Sequence, residues 1–476
     1  MPTMRGSNAP LLDRAGQAHH AKGQPPSQAK QPNCPTDHYP QDKAPIATVS
    51  SGMALGRSAF LSTLLVTATS TSVALSGMVG RPNSALAFPS PTSVPVSNLA
   101  LGRSGSRPSP SPVAYRSLFL DLEGPTEGVT VPVAAWYPVP SGARVPAERA
   151  AGASSNGADA TTPPLAVARY DHRISIRRIA QLLTGWNFIP SFFAKSYSLS
   201  SSMPNVFAAP LSGWGDGSAS PLPLKAPVVI LAHGYLGSRY DLSHLAEALA
   251  SEGFTVLSPE YPESLSASYE SGVGPPMSGN GDKPDDGTIK IDRSAISSKL
   301  LKTLREEWNV TPTAYGIVGH SLGCGTVDRT GDESWARVSL AGPPSTNFPR
   351  SGKALSVTSV GDGVMSNSGR IKGLLEGYTV TDINLLRQQK KTKFPRRAAV
   401  VLDGPTAPNH ISFLAEGTNE AMIDLLSPLL PLARTLGVPV LDFDRYQESR
   451  DSRETAALVI PLIVSYLQDA MLAKEG

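Results

Sequence analysis

A serine stands at the centre of a G-x-S-x-G motif, Gly319-His320-Ser321-Leu322-Gly323. The motif follows the apolar run 314–318 and precedes a helix-forming stretch, which is the context of a nucleophile elbow, a sharp turn between a strand and a helix. We expect Gly319 and Gly323 to be required, because a Cβ at either position would meet the neighbouring strand or helix. The motif therefore predicts Ser321 as a nucleophile.

A serine hydroxyl is a poor nucleophile, so a base must accept its proton. In folds with this elbow, the chain order is serine, then Asp or Glu, then histidine. His410 is the only histidine that follows Ser321, and it comes eight residues after the apolar run 398–402. The order predicts His410 as the general base, and the alternative is a purely structural histidine.

An acid is expected between these two residues, where it can orient the ring of His410. The candidates are Asp328, Asp332, Glu333, Asp362, Glu376, Asp382 and Asp403. Asp362 is favoured because it ends the apolar run 354–360 and precedes Gly363, which predicts a position at the catalytic edge of the sheet. Asp403 is the second choice, since it ends the next run, although it could equally form a turn before Gly404.

Two backbone N–H groups are needed to hold an oxyanion. One is expected from Leu322, directly after the nucleophile, and the other from a loop after an earlier strand. The sequence His233-Gly234-Tyr235 follows the apolar run 228–232 and fits that loop. Gly234 allows the backbone to approach closely, the N–H of Tyr235 is the predicted second donor, and His233 is predicted to brace the loop.

Strands and helices alternate from residue 228 onward, which predicts a mostly parallel central sheet with helices on both faces, an α/β fold class. The predicted strands are 228–232, 254–258, 314–318, 338–341, 354–360 and 398–402, and the predicted helices are 242–251, 291–308, 322–329 and 454–472. Upstream, 115–120 and 129–137 predict a hairpin in which Pro132 favours an edge position. A further helix is predicted within 174–193.

Several of these segments resemble the platelet-activating-factor acetylhydrolase family. They are the elbow at Ser321, His233-Gly234-Tyr235, Ala250-Ser251-Glu252-Gly253-Phe254-Thr255-Val256, Ser266-Ala267-Ser268-Tyr269 and Trp136-Tyr137-Pro138. Chlorophyllases share the elbow and the H-G loop. Both families carry their acid after the strand that matches 338–341, where this chain reads Leu340-Ala341-Gly342-Pro343 without an acid. This departure favours Asp362.

The resemblance implies the α/β-hydrolase fold and hydrolysis of a lipid-like carboxylic ester through an acyl-enzyme on Ser321. One alternative is hydrolysis of the phytyl ester of chlorophyll, and another is a binding module that has kept the fold without catalysis. No cofactor or metal is expected, because no CxxC or Cys/His metal spacing occurs. The expected partner is a small-molecule ester, with possible contact to a membrane surface through the basic cluster 387–397.

The formal net charge of +3 gives no indication of nucleic-acid binding. No acidic residue occurs between Asp42 and Asp121, and the apolar run 59–79 is followed by the small-x-small pattern Ala85-Leu86-Ala87. This pattern is similar to a two-part plastid presequence, with a secretory signal or a disordered tail as alternatives. We therefore predict a targeting segment over 1–111 and a catalytic domain over 112–476. Insertions are predicted at 141–165 and 265–292, and the oligomeric state is left open.

Overall fold

The computed structural model describes residues 111–123, 129–139, 167–184, 194–209, 222–269, 291–344, 352–365, 368–381, 394–427 and 449–472. The predicted targeting segment up to residue 110, the insertion 141–165, residues 270–290 of the second insertion and residues 387–393 of the basic cluster lie outside the described residues.

The strands are β1 (Val113–Asp121), β2 (Thr130–Pro138), β3 (Arg169–Ser175), β4 (Ala194–Ser200), β5 (Val206–Ala208), β6 (Val228–Ala232), β7 (Thr255–Pro259), β8 (Tyr315–His320), β9 (Ala336–Leu340), β10 (Ala354–Ser359), β11 (Thr379–Val380) and β12 (Arg397–Leu402). The helices are α1 (Ile176–Thr184), α2 (Ser243–Ser251), α3 (Arg293–Glu306), α4 (Gly323–Arg329), α5 (Ser368–Leu374), α6 (Glu416–Leu426) and α7 (Ser452–Leu472). Short 3₁₀ turns span Ala267–Tyr269 and His410–Phe413.

Within the described residues, a ten-stranded sheet has the order β11-β12-β10-β9-β8-β6-β7-β2-β1-β5. The strands from β11 to β7 run parallel, and β2 is antiparallel to both of its neighbours. The chain leaves β6 toward β7 on one side and returns to β8 on the other. Loops that follow the strands on either side of such a reversal meet at the carboxyl edge of the sheet, where α/β proteins build their sites.

Alternate residues of the central strands point to opposite faces of the sheet. Val229 and Val318 belong to one hydrophobic cluster, together with α2 and α7. Val228 and Ile317 belong to the other cluster, together with α3. Helices therefore cover both faces, and the predicted α/β-hydrolase fold class is confirmed by the mostly parallel sheet and its layered helices.

Helix α7 is long and apolar enough to cross a membrane, judged by its length and composition. In this fold, however, its residues Val459, Ile463 and Leu467 are buried in the hydrophobic cluster shared with β6 and β8. Packing against the sheet thus accounts for part of its apolar character, since 39% of its apolar window is buried.

The helix predicted within 174–193 is confirmed by α1, which spans Ile176–Thr184. The residues directly before it belong to β3, in which Tyr170, His172 and Ile174 are buried alternately with exposed residues, and β3 pairs with β4. Residues 185–193 lie outside the described part of the chain. The edge position that the sequence favours for Pro132 is wrong.

Pro132 lies in an interior strand, since β2 is flanked by β1 and β7. The carbonyl oxygen of Pro132 accepts a hydrogen bond from the Glu260 N–H at 2.9 Å. Proline cannot donate the return bond, and the Tyr269 hydroxyl donates to the Glu260 carbonyl oxygen at 2.5 Å instead. A side chain therefore replaces the missing backbone donor, which is why an interior proline is tolerated here.

Candidate active site

Ser321 lies in the sharp turn between β8 and α4, as the motif predicted. Its backbone φ is 54°, a left-handed value that costs energy for a residue with a side chain. The turn is held by the Ser321 N–H, which donates to the Leu340 carbonyl oxygen of the adjacent strand at 2.9 Å. A Cβ on Gly323 would lie 2.0 Å from the Ala232 carbonyl oxygen, and one on Gly319 would lie 2.4 Å from the Gly323 oxygen. Both glycines are therefore required by close backbone approach.

Three predicted side chains are brought together at this turn. The Nε2 atom of His410 lies 2.9 Å from Ser321 Oγ. Its Nδ1 atom lies 3.0 Å from each carboxylate oxygen of Asp362. Because a carboxylate can only accept, Nδ1 carries the proton and Nε2 is left to accept the proton of the serine hydroxyl. This is the arrangement that serine nucleophiles use to become reactive.

Asp362 is fully buried in the turn that follows β10. The N–H groups of Val364 and Met365 donate to its Oδ1 atom at 2.9 and 3.2 Å, so the carboxylate is fixed in its orientation. Asp403 is exposed, and its Oδ1 atom accepts a hydrogen bond from the N–H of the next residue, Gly404, at 2.6 Å. The structure thus brings Asp362 to His410, while Asp403 forms a turn.

The loop after β9 leaves no room for a side chain at Gly342. A Cβ on Gly342 would lie 2.7 Å from the Ser321 carbonyl oxygen and 2.7 Å from Cys324 Sγ. The preceding Ala341 has a φ of 48° and is fully buried. This loop therefore supports the backbone of Ser321, and the carboxylate that contacts His410 follows the next strand, β10.

The turn that carries His410 has a capping box that sequence reasoning missed. The Asn409 side-chain oxygen accepts from the N–H groups of Ile411 and Ser412 at 3.0 and 3.2 Å, while Ser412 Oγ accepts from the Asn409 N–H at 3.2 Å. An Asn followed three residues later by Ser is the sequence signal that could have indicated it. The box fixes the backbone from which His410 reaches Ser321.

His320 also holds the backbone of His410. Its Nε2–H donates to the His410 carbonyl oxygen at 3.1 Å, and the two ring centroids are 4.9 Å apart. Burial, and then the proximity of His410, lowers the pKa of His320 to about 3, so its ring is neutral at ordinary pH. Sequence reasoning had included His320 only as a member of the motif.

His233 braces the predicted oxyanion loop. The Tyr261 N–H donates to His233 Nε2 at 2.8 Å, so the ring proton resides on Nδ1, which donates to the Gly234 carbonyl oxygen at 2.8 Å. Burial, and then the charge of Arg293, holds the pKa of His233 well below its usual value. The ring is therefore a neutral structural support and lies beside the loop, as predicted.

The oxyanion loop lies against the candidate nucleophile. A Cβ on Gly234 would lie 3.0 Å from Ser321 Cβ and 3.1 Å from His320 Nδ1. Within the described residues, the N–H groups of Tyr235 and Leu322 make no hydrogen bond. Two unpaired backbone donors therefore lie on the two loops that meet at the candidate nucleophile, as an oxyanion hole requires.

The thiol of Cys324 and the arrangement of possible metal ligands complete the description of the site. Cys324 is buried, and burial raises the pKa of its thiol to about 12. Among the residues that the structure describes, no group of three or more His, Cys, Asp or Glu side chains is arranged to hold a metal ion.

Solved structures similar to this chain include several hydrolases. A ferulic acid esterase from Streptomyces cinnamoneus is 16% identical with a TM-score of 0.36, covering 78% of this chain and 94% of its own. An esterase from Pyrococcus furiosus is 13% identical with a TM-score of 0.30, covering 66% and 92%. A dienelactone hydrolase from Anabaena variabilis is 17% identical with a TM-score of 0.24, covering 44% and 85%.

No model of a known protein family matches the chain, and no curated protein matches it. The similarity to the solved structures is too low to bear on activity. The fold assignment therefore rests on the order of the strands and on the elbow at Ser321.

Proposed function

We propose that this protein is a serine carboxylic ester hydrolase that forms an acyl-enzyme on Ser321. The observation that carries the proposal is the continuous hydrogen-bonded series from Ser321 Oγ through His410 to Asp362. Two further features support it, the strained backbone of Ser321 and the two unpaired N–H groups beside it. A binding module without catalysis would have no need of this combination.

In the proposed mechanism, Ser321 Oγ attacks the ester carbonyl carbon while His410 Nε2 accepts the hydroxyl proton. The resulting oxyanion accepts hydrogen bonds from the N–H groups of Tyr235 and Leu322. Asp362 holds the ring and stabilises the imidazolium. The intermediate then collapses, and His410 gives its proton to the departing alcohol. Water then attacks the acyl-enzyme while His410 accepts one of its protons. His410 passes this proton to Ser321 Oγ, which releases the carboxylic acid and restores the serine hydroxyl.

We propose a substrate with a substantial apolar part, in keeping with a lipid-like ester. Three loops that carry the proposed machinery each expose an apolar or aromatic side chain. Tyr235 is 38% exposed in the proposed oxyanion loop, Leu322 is 41% exposed directly after Ser321, and Val364 is 44% exposed two residues after Asp362. Exposed apolar groups on the loops of a ligand site favour an apolar ligand.

The reaction is tested with a fluorophosphonate probe and p-nitrophenyl butyrate. We expect the wild type to hydrolyse the ester and to be labelled, and Ser321→Ala to lose both while keeping its circular dichroism spectrum. Ser334→Ala, which removes an exposed serine hydroxyl that bonds only to the nearby Asp332, is the matched control and should behave as the wild type. A wild type that is folded, unlabelled and inactive would favour the binding-module alternative.

The substrate class is tested with p-nitrophenyl esters whose acyl chains have about 2–16 carbons. Chlorophyll is tested as well, which addresses the phytyl-ester alternative. We expect Val364→Ser to lower the ratio of long-chain to short-chain activity, because it removes apolar contact from a loop at the site. Val380→Ser is the control, since Val380 is 61% exposed on the distant edge strand β11. An equal ratio in both variants would remove Val364 from substrate binding.

We also propose that the segment 1–111 directs the protein to a plastid, on the basis of its stretch 43–111 without acidic residues and of the apolar run 59–79. A fluorescent fusion of these residues should enter plastids of a photosynthetic cell. A fusion that stays in the cytosol or is secreted would contradict the plastid assignment.

A further inference from the structure

One buried guanidinium contacts the back of the oxyanion loop. Arg293 is the first residue of α3, and its Nη1 donates to the His233 carbonyl oxygen at 2.9 Å. Its Nη2 lies 3.5 Å from the Gly234 carbonyl oxygen. Two consecutive peptide units of the loop therefore direct their carbonyl groups at the same positive charge.

The second of these peptide units contains the proposed oxyanion donor. The Gly234 carbonyl and the Tyr235 N–H belong to one planar trans peptide, in which the C=O and N–H bonds point in opposite directions. A group that holds the carbonyl on one side therefore sets the direction of the N–H on the other. The carbonyl also accepts the bond from His233 Nδ1, and hydrogen bonds in series polarise one another, which makes the N–H a stronger donor.

The same guanidinium also contacts the helix that follows the nucleophile. Arg293 Nη1 donates to the Thr326 hydroxyl oxygen at 3.2 Å, and Thr326 lies on α4, four residues after Leu322. Arg293 is thus bonded both to the loop that carries one proposed donor and to the helix that follows the other. The spacing between the oxyanion loop and α4 is therefore set in part by the side chain of Arg293.

Arg293 is itself held from the opposite side. Its Nε donates to Glu263 Oε2 at 2.8 Å, and its guanidinium carbon lies 4.6 Å from the centre of the Tyr261 ring. Arg293 and Glu263 are both buried, so the ion pair is shielded from water and its geometry is well defined. An arginine holds these carbonyl groups better than a lysine would, because its planar guanidinium presents several hydrogen-bond donors in fixed directions.

We propose that Arg293 is a positioning residue for the oxyanion hole. It orients and polarises the Gly234–Tyr235 peptide and holds it in register with α4, so that both N–H groups face the oxyanion. The proposal rests on the ester hydrolase function proposed above. Arg293 acts through the backbone and does not touch the substrate.

The test compares Arg293→Lys with Arg337→Lys. Arg337 is also buried, and its guanidinium donates to backbone carbonyls at the far end of α4, those of Val327, Thr330, Asp332 and Trp335. Each variant replaces a guanidinium that binds carbonyl groups with an ammonium of the same charge. Only the guanidinium of Arg293 contacts the oxyanion loop. Rates are referred to the folded fraction of each variant, measured by circular dichroism.

We expect Arg293→Lys to lower kcat by about tenfold to a hundredfold, somewhat less than the loss of a whole oxyanion donor. KM should stay within about twofold, because the bound ester carries no oxyanion until Ser321 attacks it. The affinity for a trifluoromethyl ketone, whose adduct with serine carries an oxyanion, should fall by the same factor as kcat/KM. Arg337→Lys should lose thermal stability and retain its kcat and its ketone affinity.

A second measurement applies if the lysine variant folds poorly. Low millimolar guanidinium ion should restore part of the activity of Arg293→Ala and have no effect on Arg337→Ala. The inference is overturned if the folded Arg293→Lys keeps its kcat or its ketone affinity, if both arginine variants lose activity equally, or if guanidinium rescues neither or both. A wild type without hydrolysis or probe labelling would remove the proposed function as well, so the two failures are distinguishable.

Discussion

His320 Nε2 donates a hydrogen bond to the carbonyl oxygen of His410 at 3.1 Å, so the residue before the proposed nucleophile holds the backbone of the proposed base. Both residues are buried. A buried carbonyl that loses its donor costs about 1–3 kcal/mol. The bond therefore couples the two loops at the centre of the site.

We expect His320→Leu to lower the free energy of unfolding by about 1–3 kcal/mol, because the His410 carbonyl is left without a donor. His320→Gln, which retains an N–H near the same position, should recover part of that loss. Urea unfolding of the three proteins at pH 7 measures this. Equal stability of the leucine and glutamine variants would show that the hydrogen bond is unimportant.

We expect His410→Ala to lower kcat for p-nitrophenyl butyrate by about a thousandfold or more, because the serine proton then has no acceptor. The circular dichroism spectrum should be unchanged. His244→Ala is the control, since it removes another buried histidine, on α2. A comparable loss in both variants would point to a general packing effect.

We expect Asp362→Asn to lower kcat by about a thousandfold or more, because the amide favours the wrong tautomer of His410. Asp403→Asn should retain nearly full activity, since Asp403 is exposed and bonds to Gly404. Initial rates at pH 7 distinguish the two. The reverse ranking would transfer the role of the acid to Asp403.

We expect Gly342→Ala to lower kcat by about tenfold to a hundredfold, because its methyl group would displace the backbone of Ser321. Gly373→Ala is the matched control, since a Cβ there meets nothing within 4 Å. That variant should keep its kcat and gain slightly in helix stability. Similar kinetics in the two variants would show that the loop after β9 does not constrain the nucleophile.

The carboxyl group of Asp241 makes stability depend on pH. Burial, reinforced by the charge of Glu260, raises its pKa from 3.8 to about 8, although hydrogen bonds from Ser238 act in the opposite direction. Between these two values the folded protein binds a proton that the unfolded chain releases. The free energy of unfolding therefore falls as pH rises through this range.

Between about pH 6.5 and 8, where the histidines of the unfolded chain are largely neutral, only the wild type loses the proton held by Asp241. We therefore expect the free energy of unfolding to fall less with rising pH in Asp241→Asn than in the wild type. The amide oxygen can still accept the bonds from the Ser238 N–H and hydroxyl. Urea unfolding at several pH values measures the slope, and Asp403→Asn should keep that of the wild type. Parallel slopes in all three proteins would show that Asp241 does not hold a proton.

The sequence was sufficient to predict the three side chains at the centre of the site. The elbow motif has a strict local context, and one histidine follows the serine, so little choice remained for Ser321 and His410. Asp362 required the further assumption that a carboxylate at a strand end reaches the catalytic edge. The strands β6 to β10 and β12 were also predictable, because buried parallel strands are continuous apolar runs. The strand β11, which has two exposed residues, was not predicted.

The supporting residues could not be predicted in the same way. Arg293 follows a polar insertion and begins a helix, where a charge is ordinarily a surface feature, and only the fold brings it under His233. Tyr269 likewise gives no local sign that it replaces the backbone donor missing at Pro132. These contacts join residues distant in sequence, so no pattern of spacing reveals them.

Tyr269 and Arg293 bracket the segment 270–290, and both attach to the same short stretch of chain. Tyr269 donates to the Glu260 carbonyl oxygen, and Arg293 pairs with the carboxylate of Glu263. The two ends of the bracketed segment are therefore fastened close to one another, independently of its length. Through these two contacts, the residues on both sides of the segment are attached to the loop that follows β7, and a change in the number of residues between them leaves both attachment points in the sequence.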